Sequence, residues 1–227
     1  MPGFILHLTA GKMLLDDTRL SKVISTKKDE NMFLIGCVIP DASDRKRISH
    51  FRNTNQRGLI RQVPDLNLFK EKYGDRLNEP FFLGYMFHLY IDLRFFSEYL
   101  VKLVTFYDKY GNYTEYIKNG EMVKINKSNE IVSVDEYRSD EYYYGDYTRM
   151  NTYLIKKFNI PMDIFNVDEI PIMEEINSEC IPAFFDKMIG YTNVNEDEIF
   201  NLKVFDIDDI IRYISEWTNE FVKKYLK

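Results

Sequence analysis

Apolar residues recur along most of this chain at the three- and four-residue spacing of amphipathic helices. This spacing predicts helices at residues 3–15, 31–39, 64–73, 79–105, 145–158, 178–189 and 206–226. Pro64 and Pro80 fall in the first turn of two of these helices, where the amide hydrogen that proline lacks would have no partner. The last helix has an apolar stripe from Ile207 to Phe221, which is either core or the surface of a homodimer. We therefore expect a mainly α-helical protein.

One segment, residues 113–125, has a different pattern. Its apolar and polar residues alternate, and Asn119-Gly120 stands between two strand-like runs. Asn-Gly favours tight hairpin turns because both residues tolerate positive φ. We therefore expect a small β-hairpin there. The expected organisation is a single helical domain, 1–227, with a ligand-bearing helical half at 1–106, a hairpin insertion at 107–127 and carboxy-terminal helices at 128–227.

Composition and charge narrow the class of protein. With 45% hydrophobic and 15% aromatic residues, the chain is expected to fold rather than to remain disordered. Residues 1–15 lack the basic start and cleavage site of a signal peptide, and no apolar run is long enough to cross a bilayer. Cys37 and Cys180 are far apart and are expected to be free thiols of a cytoplasmic protein. The net charge of −6 disfavours binding to bulk nucleic acid.

The three histidines all lie in the first 90 residues, and each has a neighbour that suits metal binding. His88 lies four residues before Asp92, so on a helix an imidazole and a carboxylate project from one face. Asp41 follows a proline that ends an apolar run, which places its carboxylate at a fixed corner, and His50 comes nine residues later. His7 lies on the first predicted helix. The pattern favours a metal site, and the alternative is a solvated or hydrogen-bonded helix face.

Glycines flank two of these histidines at the spacing of one helical turn. Gly3 and Gly11 lie on either side of His7, and Gly84 precedes His88. Glycine inside a helix costs about 1 kcal/mol relative to alanine, so its presence indicates that something approaches closely. We interpret the two helix faces as walls of one site.

These segments together resemble the zinc-dependent phospholipase C family of bacteria, which is related to the S1/P1-type nucleases. The resemblance rests on the amino-terminal helix with His7, the run from Phe33 to Asp41, the tripeptide Ser49-His50-Phe51, and the run from Phe82 to Asp92. It covers roughly residues 1 to 100. It implies a helical phospholipase C-like bundle with one metal bound by Asp41, His50, His88 and Asp92, and with His7 serving a second metal.

The chain also departs from that family. It has no histidine after residue 88, so a full cluster of three metals is not expected, and we expect one or two ions. Two imidazoles with two carboxylates form a mixed nitrogen and oxygen donor set, which suits zinc (Zn), with manganese (Mn) or iron (Fe) as alternatives.

Basic residues are concentrated around His50. Between Arg45 and Arg61 there are six basic residues and no acidic one. In an acidic chain this concentration favours an anionic substrate held beside the metal, and phosphate is the usual such anion. The expected substrate-binding residues are Arg45, Lys46, Arg47 and Arg52. The alternative is a solvated loop paired with the acidic carboxy-terminal half.

These observations predict a metal-dependent hydrolase of phosphate esters, with a phosphodiester such as a phospholipid head group as substrate. Asp41 and Asp92 are the expected catalytic carboxylates, acting on a metal-activated water. A phosphohydrolase of the HD-domain type is a second hypothesis, although the His-Asp dipeptide that it requires does not occur. A third is a degenerate relative that binds without turnover, which the lack of downstream histidines favours.

Overall fold

The computed structural model describes residues 3–163, 170–190 and 192–226, and these residues are mainly helical. The α-helices are α1 (Phe4–Leu15), α2 (Lys27–Gly36), α3 (Lys46–Ser49), α4 (Leu66–Tyr73), α5 (Pro80–Arg94), α6 (Leu100–Leu103), α7 (Val134–Tyr137), α8 (Tyr143–Lys157), α9 (Ile181–Gly190) and α10 (Ile207–Tyr225). Short 3₁₀ helices cover Thr18–Lys22, Ile39–Ala42, Thr54–Gln56, Gly74–Arg76, Ile117–Asn119, Ser178–Cys180 and Glu196–Asn201. No helix in these ranges is long and apolar enough to cross a membrane.

Helices α2 and α5 are in direct backbone contact, and this contact forms the centre of the fold. A Cβ atom added to Gly84 of α5 would lie 2.1 Å from the carbonyl oxygen of Phe33 in α2. A Cβ atom added to Gly36 of α2 would lie 2.2 Å from the carbonyl oxygen of Phe81 in α5. Both distances are far below any real contact, so only glycine permits this approach. The sequence predicted a close approach beside Gly84, and its partner is a neighbouring helix.

The predicted helix at 79–105 is interrupted once and is shorter at its carboxyl end. α5 begins with Pro80 in its first turn, runs into a π-helical turn at Phe95–Tyr99, and continues as α6. The chain then leaves the helix at Val104, where β-branched residues begin a strand. Twelve residues of α5 are buried, which agrees with the expectation that this helix is central.

The apolar stripe of the last helix is core within the chain. α10 packs against α1 and α5. The side chains of Ile210, Trp217 and Phe221 are almost completely inaccessible to solvent. Asp206 caps the helix, because its side chain accepts hydrogen bonds from the backbone N–H groups two and three residues later. Helices of the same chain therefore cover the apolar stripe of α10, and a homodimer stays a prediction.

The β-structure is a three-stranded antiparallel sheet in the order β1 (Val104–Tyr107), β2 (Met122–Ile125), β3 (Glu130–Ser133). The prediction of antiparallel strands in this region is confirmed, but the predicted pairing across Asn119-Gly120 is wrong. Those two residues end a 3₁₀ helix, and Gly120 has a φ of −75° rather than the positive value of a tight hairpin turn. The hairpin turn lies instead at residues 126–129, where Asn129 has a φ of 60°.

The contact at Gly84 yields a first prediction. Replacing Gly84 with alanine should destabilise the fold by about 3 kcal/mol, the upper end of the cost of overpacking, because the new methyl group meets a backbone oxygen that cannot move alone. The free energy of unfolding from denaturant titration measures the effect.

The matched control is Gly190→Ala. Gly190 ends α9, and a Cβ atom there has no neighbour within 4 Å. This variant should unfold at the wild-type denaturant concentration or slightly above it. Equal stability of the two variants would show that the contact between α2 and α5 tolerates a side chain.

Candidate metal centre

Five residues predicted from the sequence come together in the core. α1 carries His7, α5 carries His88 and Asp92, the 3₁₀ turn Ile39–Ala42 carries Asp41, and His50 immediately follows α3. The three imidazoles and the Asp92 carboxylate are at most 1% exposed, and the Asp41 side chain is 8% exposed. Imidazoles and carboxylates are rarely gathered in a core without a partner that satisfies them.

Four of these side chains form neighbouring pairs whose potential ligand atoms lie 3.3 to 4.0 Å apart. The Nε2 atoms of His50 and His88 lie 3.3 Å apart. His50 Nε2 lies 3.4 Å from Asp41 Oδ1 and 3.5 Å from Asp92 Oδ2, and His88 Nε2 lies 4.0 Å from Asp92 Oδ2. Two ligand atoms of a tetrahedral zinc ion, at bond lengths near 2.1 Å, are separated by about 3.4 Å.

His7 joins a second group of potential ligands. Its Nε2 atom lies 3.3 Å from Asp92 Oδ1, and its ring stacks on that of His88 with 3.8 Å between ring centroids. His7, His88 and Asp92 could together hold a metal ion, and so could Asp41, His50 and His88. The two groups share His88, so the centre has room for one ion or for two neighbouring ions.

The tautomer of His88 is fixed by the backbone of α2. His88 Nδ1 lies 2.8 Å from the carbonyl oxygen of Cys37, the residue that follows α2. A carbonyl oxygen only accepts hydrogen bonds, so His88 Nδ1 carries the proton. Burial, reinforced by the neighbouring His7, lowers the pKa of His88 to about 3, so the ring is neutral at physiological pH. His88 Nε2 therefore presents a lone pair to the centre.

The Ser49 hydroxyl group fixes the tautomer of His50, again with the proton on Nδ1. The Ser49 hydroxyl donates its proton to the carbonyl oxygen of Pro40 over 2.9 Å. Ser49 Oγ also lies 3.0 Å from His50 Nδ1, and with its own proton committed it accepts from the imidazole. Tyr85 of α5 holds this serine in place by donating its hydroxyl proton to the Ser49 carbonyl oxygen. In the neutral ring, His50 Nε2 also offers a lone pair.

Two buried aspartates provide an internal comparison. Asp146 in α8 is inaccessible to solvent and accepts hydrogen bonds from the backbone N–H groups of three successive residues, Lys203 to Phe205, and from Arg149. Asp92 is equally buried, yet neither of its oxygens has a hydrogen-bond partner of adequate geometry among the described residues. The same holds for both ring nitrogens of His7. Protein donors thus satisfy the Asp146 carboxylate, whereas the Asp92 carboxylate has no such donor among the described residues.

Both carboxylates of the centre are ionised. Burial opposes the charge of Asp41, but the ammonium group of Lys46 and the imidazoles of His50 and His88 hold its pKa well below the usual range. Burial likewise opposes the charge of Asp92, and the surrounding histidines again lower its pKa. The centre therefore carries two negative charges in the core.

The four basic residues expected to bind substrate have different surroundings. Lys46 Nζ lies 3.1 Å from Asp41 Oδ1, at the edge of the centre. Arg52 is partly buried, and its Nε atom has no hydrogen-bond partner in the described chain. Burial lowers the pKa of its guanidinium group, and the negative charges of both aspartates of the centre oppose that change. Arg45 donates to the carbonyl oxygen of Glu174, and Arg47 donates to the carbonyl oxygens of Arg52 and Asn53. Lys46 and Arg52 are thus the pair nearest the centre.

Two cavities border the centre. One of about 720 Å³ is lined by Asp41, Lys46, Phe4, Tyr144 and Phe184, among others, and Asp41 is where it meets the centre. Another of about 320 Å³ contains Lys46 and Arg52. The sequence prediction omitted Arg138, which also lines the smaller cavity. Its one visible signal is that it is the lone basic residue in the acidic, tyrosine-rich stretch 135–147.

Comparison of the chain with protein-family models, with curated proteins and with solved structures gives no match. The resemblance to the zinc-dependent phospholipase C family therefore stays a prediction.

The Ser49 contact yields a second prediction. Removing the hydroxyl with Ser49→Ala should weaken binding of added zinc by about 10- to 100-fold, the usual effect of losing a hydrogen bond that orients a metal ligand. A competition titration against a chromophoric chelator measures the affinity.

The control is Ser43→Ala. Ser43 is also buried and also donates to a backbone carbonyl oxygen, that of Glu175, but it has no contact with a histidine. Its replacement should lower the melting temperature slightly and leave the zinc affinity unchanged. If both variants bind zinc as the wild type does, Ser49 does not orient a ligand.

Proposed function

We propose that this protein is a metal-dependent hydrolase of phosphate esters, with a phosphodiester as its substrate. One observation carries the proposal: the lone pairs of His50 Nε2 and His88 Nε2 face each other across 3.3 Å, beside two ionised carboxylates. When both rings are neutral and donate their Nδ1 protons elsewhere, the two Nε2 lone pairs repel each other at that distance. A cation bound by both nitrogens removes the repulsion and neutralises the carboxylates.

The donor set favours zinc, with manganese or iron as alternatives. Imidazole nitrogens with carboxylate oxygens suit these metals, and the spacing fits tetrahedral coordination. Asp41, His50, His88 and Asp92 would hold a first ion, and His7 with the other oxygen of Asp92 would serve a second. A bound ion lowers the pKa of a coordinated water toward neutrality and polarises a phosphoryl oxygen.

We assign the side chains around the centre to the other steps of hydrolysis: proton transfer, support of the ligand groups and charge balance. Asp41 borders the larger cavity, so we assign it to orient the attacking water and to receive its proton. Asp92 lies between His7 and His50 and holds the two ligand groups together. The Lys46 ammonium and the Arg52 guanidinium would balance the charge of the phosphoryl group. Roles for Arg45 and Arg47 in substrate binding stay predictions, since each is engaged with backbone carbonyl groups.

The larger cavity supports an ester substrate with a sizeable organic part. Its volume of about 720 Å³ lies in the range of small-molecule sites, and Phe4, Tyr144 and Phe184 supply apolar walls next to Asp41. A bound alcohol group would therefore be shielded from water while its phosphoryl group faces the centre. A binding module without turnover would need no water with access to the centre.

A third prediction tests the proposal with two matched substitutions. Asp92→Asn should lose most of the bound metal and with it the turnover of an artificial phosphodiester, because it removes a charged ligand. Metal analysis of the purified wild type should give about one or two equivalents of transition metal per chain. A panel of phosphomonoesters, phosphodiesters and phospholipids, assayed with added zinc or manganese, measures turnover.

The control for that experiment is Asp146→Asn. This variant should lose about 2 kcal/mol of folding stability, because four donors lose a charged acceptor, yet it should keep its metal and its turnover per folded molecule. A wild-type protein with metal but without turnover across the panel would favour the binding module. A protein without metal would contradict the proposal.

A fourth prediction concerns His7. Replacing it with alanine should lower turnover more than it lowers occupancy of the first ion, because His7 belongs to the second ligand group. Metal content and initial rate, measured on the same preparation, separate the two effects. Equal loss of both would show that His7 binds the first ion directly.

A further inference from the structure

The smaller cavity near the centre is lined by basic residues and tyrosines and by several apolar side chains. It has a volume of about 320 Å³ and shares Lys46 and Tyr144 with the larger cavity. Its charged lining residues are Lys46, Arg52 and Arg138, and no carboxylate is among its described lining residues. In a chain with a net charge of −6, a cavity with three cations and no acid is a site for an anion.

Tyr137, which lines this cavity, has a buried hydroxyl group without a partner among the described residues. Tyr137 is 3% exposed, and its hydroxyl makes no hydrogen bond within the described chain. Its ring is held edge-on against Phe106 and at a tilt against Tyr143, with centroid separations of 5.9 and 5.1 Å. An anion in the cavity would accept this hydrogen bond and that of the unpartnered Arg52 Nε.

Arg138 lines the smaller cavity, and none of the five residues of the centre does, whereas Asp41 lines the larger one. Lys46 forms an ion pair with Asp41, and the charges of Asp41 and Asp92 attract the Arg52 guanidinium group. Arg138 lines the cavity together with Tyr137 and Tyr143. The cavity therefore has two cations that are also close to the charges of the centre, Lys46 and Arg52, and a third, Arg138, beside the two tyrosines.

We propose that this cavity binds a second phosphate group of the substrate, with Arg138 and Tyr137 as its recognition residues. The assignment deepens the proposed function, because it takes the first phosphate to be the ester at the centre. A neighbouring cavity of about 510 Å³ also contains Arg138, but Glu121 and Asp135 line it. Those two carboxylates would repel an anion, which restricts the phosphate to the acid-free side of Arg138.

Binding of inorganic phosphate to the purified full chain tests the site without turnover. We expect Arg138→Gln to weaken phosphate binding by about tenfold or more in a calorimetric titration, because a charge-assisted hydrogen bond is lost. Tyr137→Phe keeps the buried ring and should weaken binding by a smaller factor of about five. The control Arg212→Gln removes the same charge from an exposed ion pair on α10 and should leave binding unchanged.

A kinetic comparison distinguishes a phosphate group of the substrate from a free phosphate ion. The two substrates are a phosphodiester with a terminal phosphate on one ester group and the same diester without it. Arg138→Gln should raise KM only for the first, with kcat unchanged, and inorganic phosphate should compete with that substrate. An equal rise for both substrates would overturn the inference, as would wild-type phosphate affinity in both cavity variants. If the chain turns over neither diester but Arg138→Gln still loses phosphate, the proposed hydrolase fails and the anion site stands.

Discussion

The backbone contact between α2 and α5 is the constraint on which the candidate centre depends. Gly36 and Gly84 let the two helices approach until carbonyl oxygens of one meet Cα atoms of the other. Cys37 follows α2 directly, so the same approach brings its carbonyl oxygen within 2.8 Å of the His88 ring. A side chain at either glycine would push the helices apart and break that hydrogen bond. The glycine beside His88 therefore acts by fixing the tautomer and orientation of the His88 ring.

The centre concentrates unfavourable interactions in the core. The ionised Asp92 carboxylate has no hydrogen bond among the described residues, which is costly in a core, and neutral imidazoles with Nε2 atoms 3.3 Å apart would repel each other. Under the proposed function these interactions are the source of metal affinity, since a cation relieves all of them at once. Binding would then stabilise the fold by mass action, by about 4 kcal/mol at a free metal concentration a thousand times Kd. Folding and metal loading would be coupled, as in other buried metal sites.

Local periodicity predicted helices such as α10 well, because they bury one regular face, whereas α5 is buried over twelve successive residues. The pairing of His88 with Asp92 follows from the same periodicity, since four residues make about one turn. The convergence of Asp41 and His50 with them depends on how α2, α3 and α5 pack, and only the family resemblance indicated it. The orienting partners, the Cys37 carbonyl and the Ser49 hydroxyl, could not be predicted because they arise from tertiary contacts.

The hairpin shows the opposite case, in which a strong local signal gave the wrong pairing. Asn119-Gly120 suits a tight turn, but β2 pairs with β1 and β3 and buries Val123 and Ile125, which outweighs a two-residue preference. In the tyrosine-rich stretch 135–147, four rings are buried, those of Tyr137, Tyr142, Tyr143 and Tyr147. Arg138 in that stretch faces a cavity, which neither periodicity nor charge density reveals.

In the basic stretch around His50, some residues reach the centre and others do not, and local sequence patterns do not show which. α3 is a single turn, and the backbone N–H of His50 bonds to the carbonyl oxygen of Lys46 four residues earlier. Lys46 and His50 therefore lie on one face, and both reach the same oxygen of Asp41, at 3.1 and 3.4 Å. Arg47 is rotated by roughly 100° around the helix and donates to backbone carbonyl groups instead. Charge density along a sequence predicts a cationic surface, but the helical phase of each residue relative to a ligand decides which cation can act at the centre.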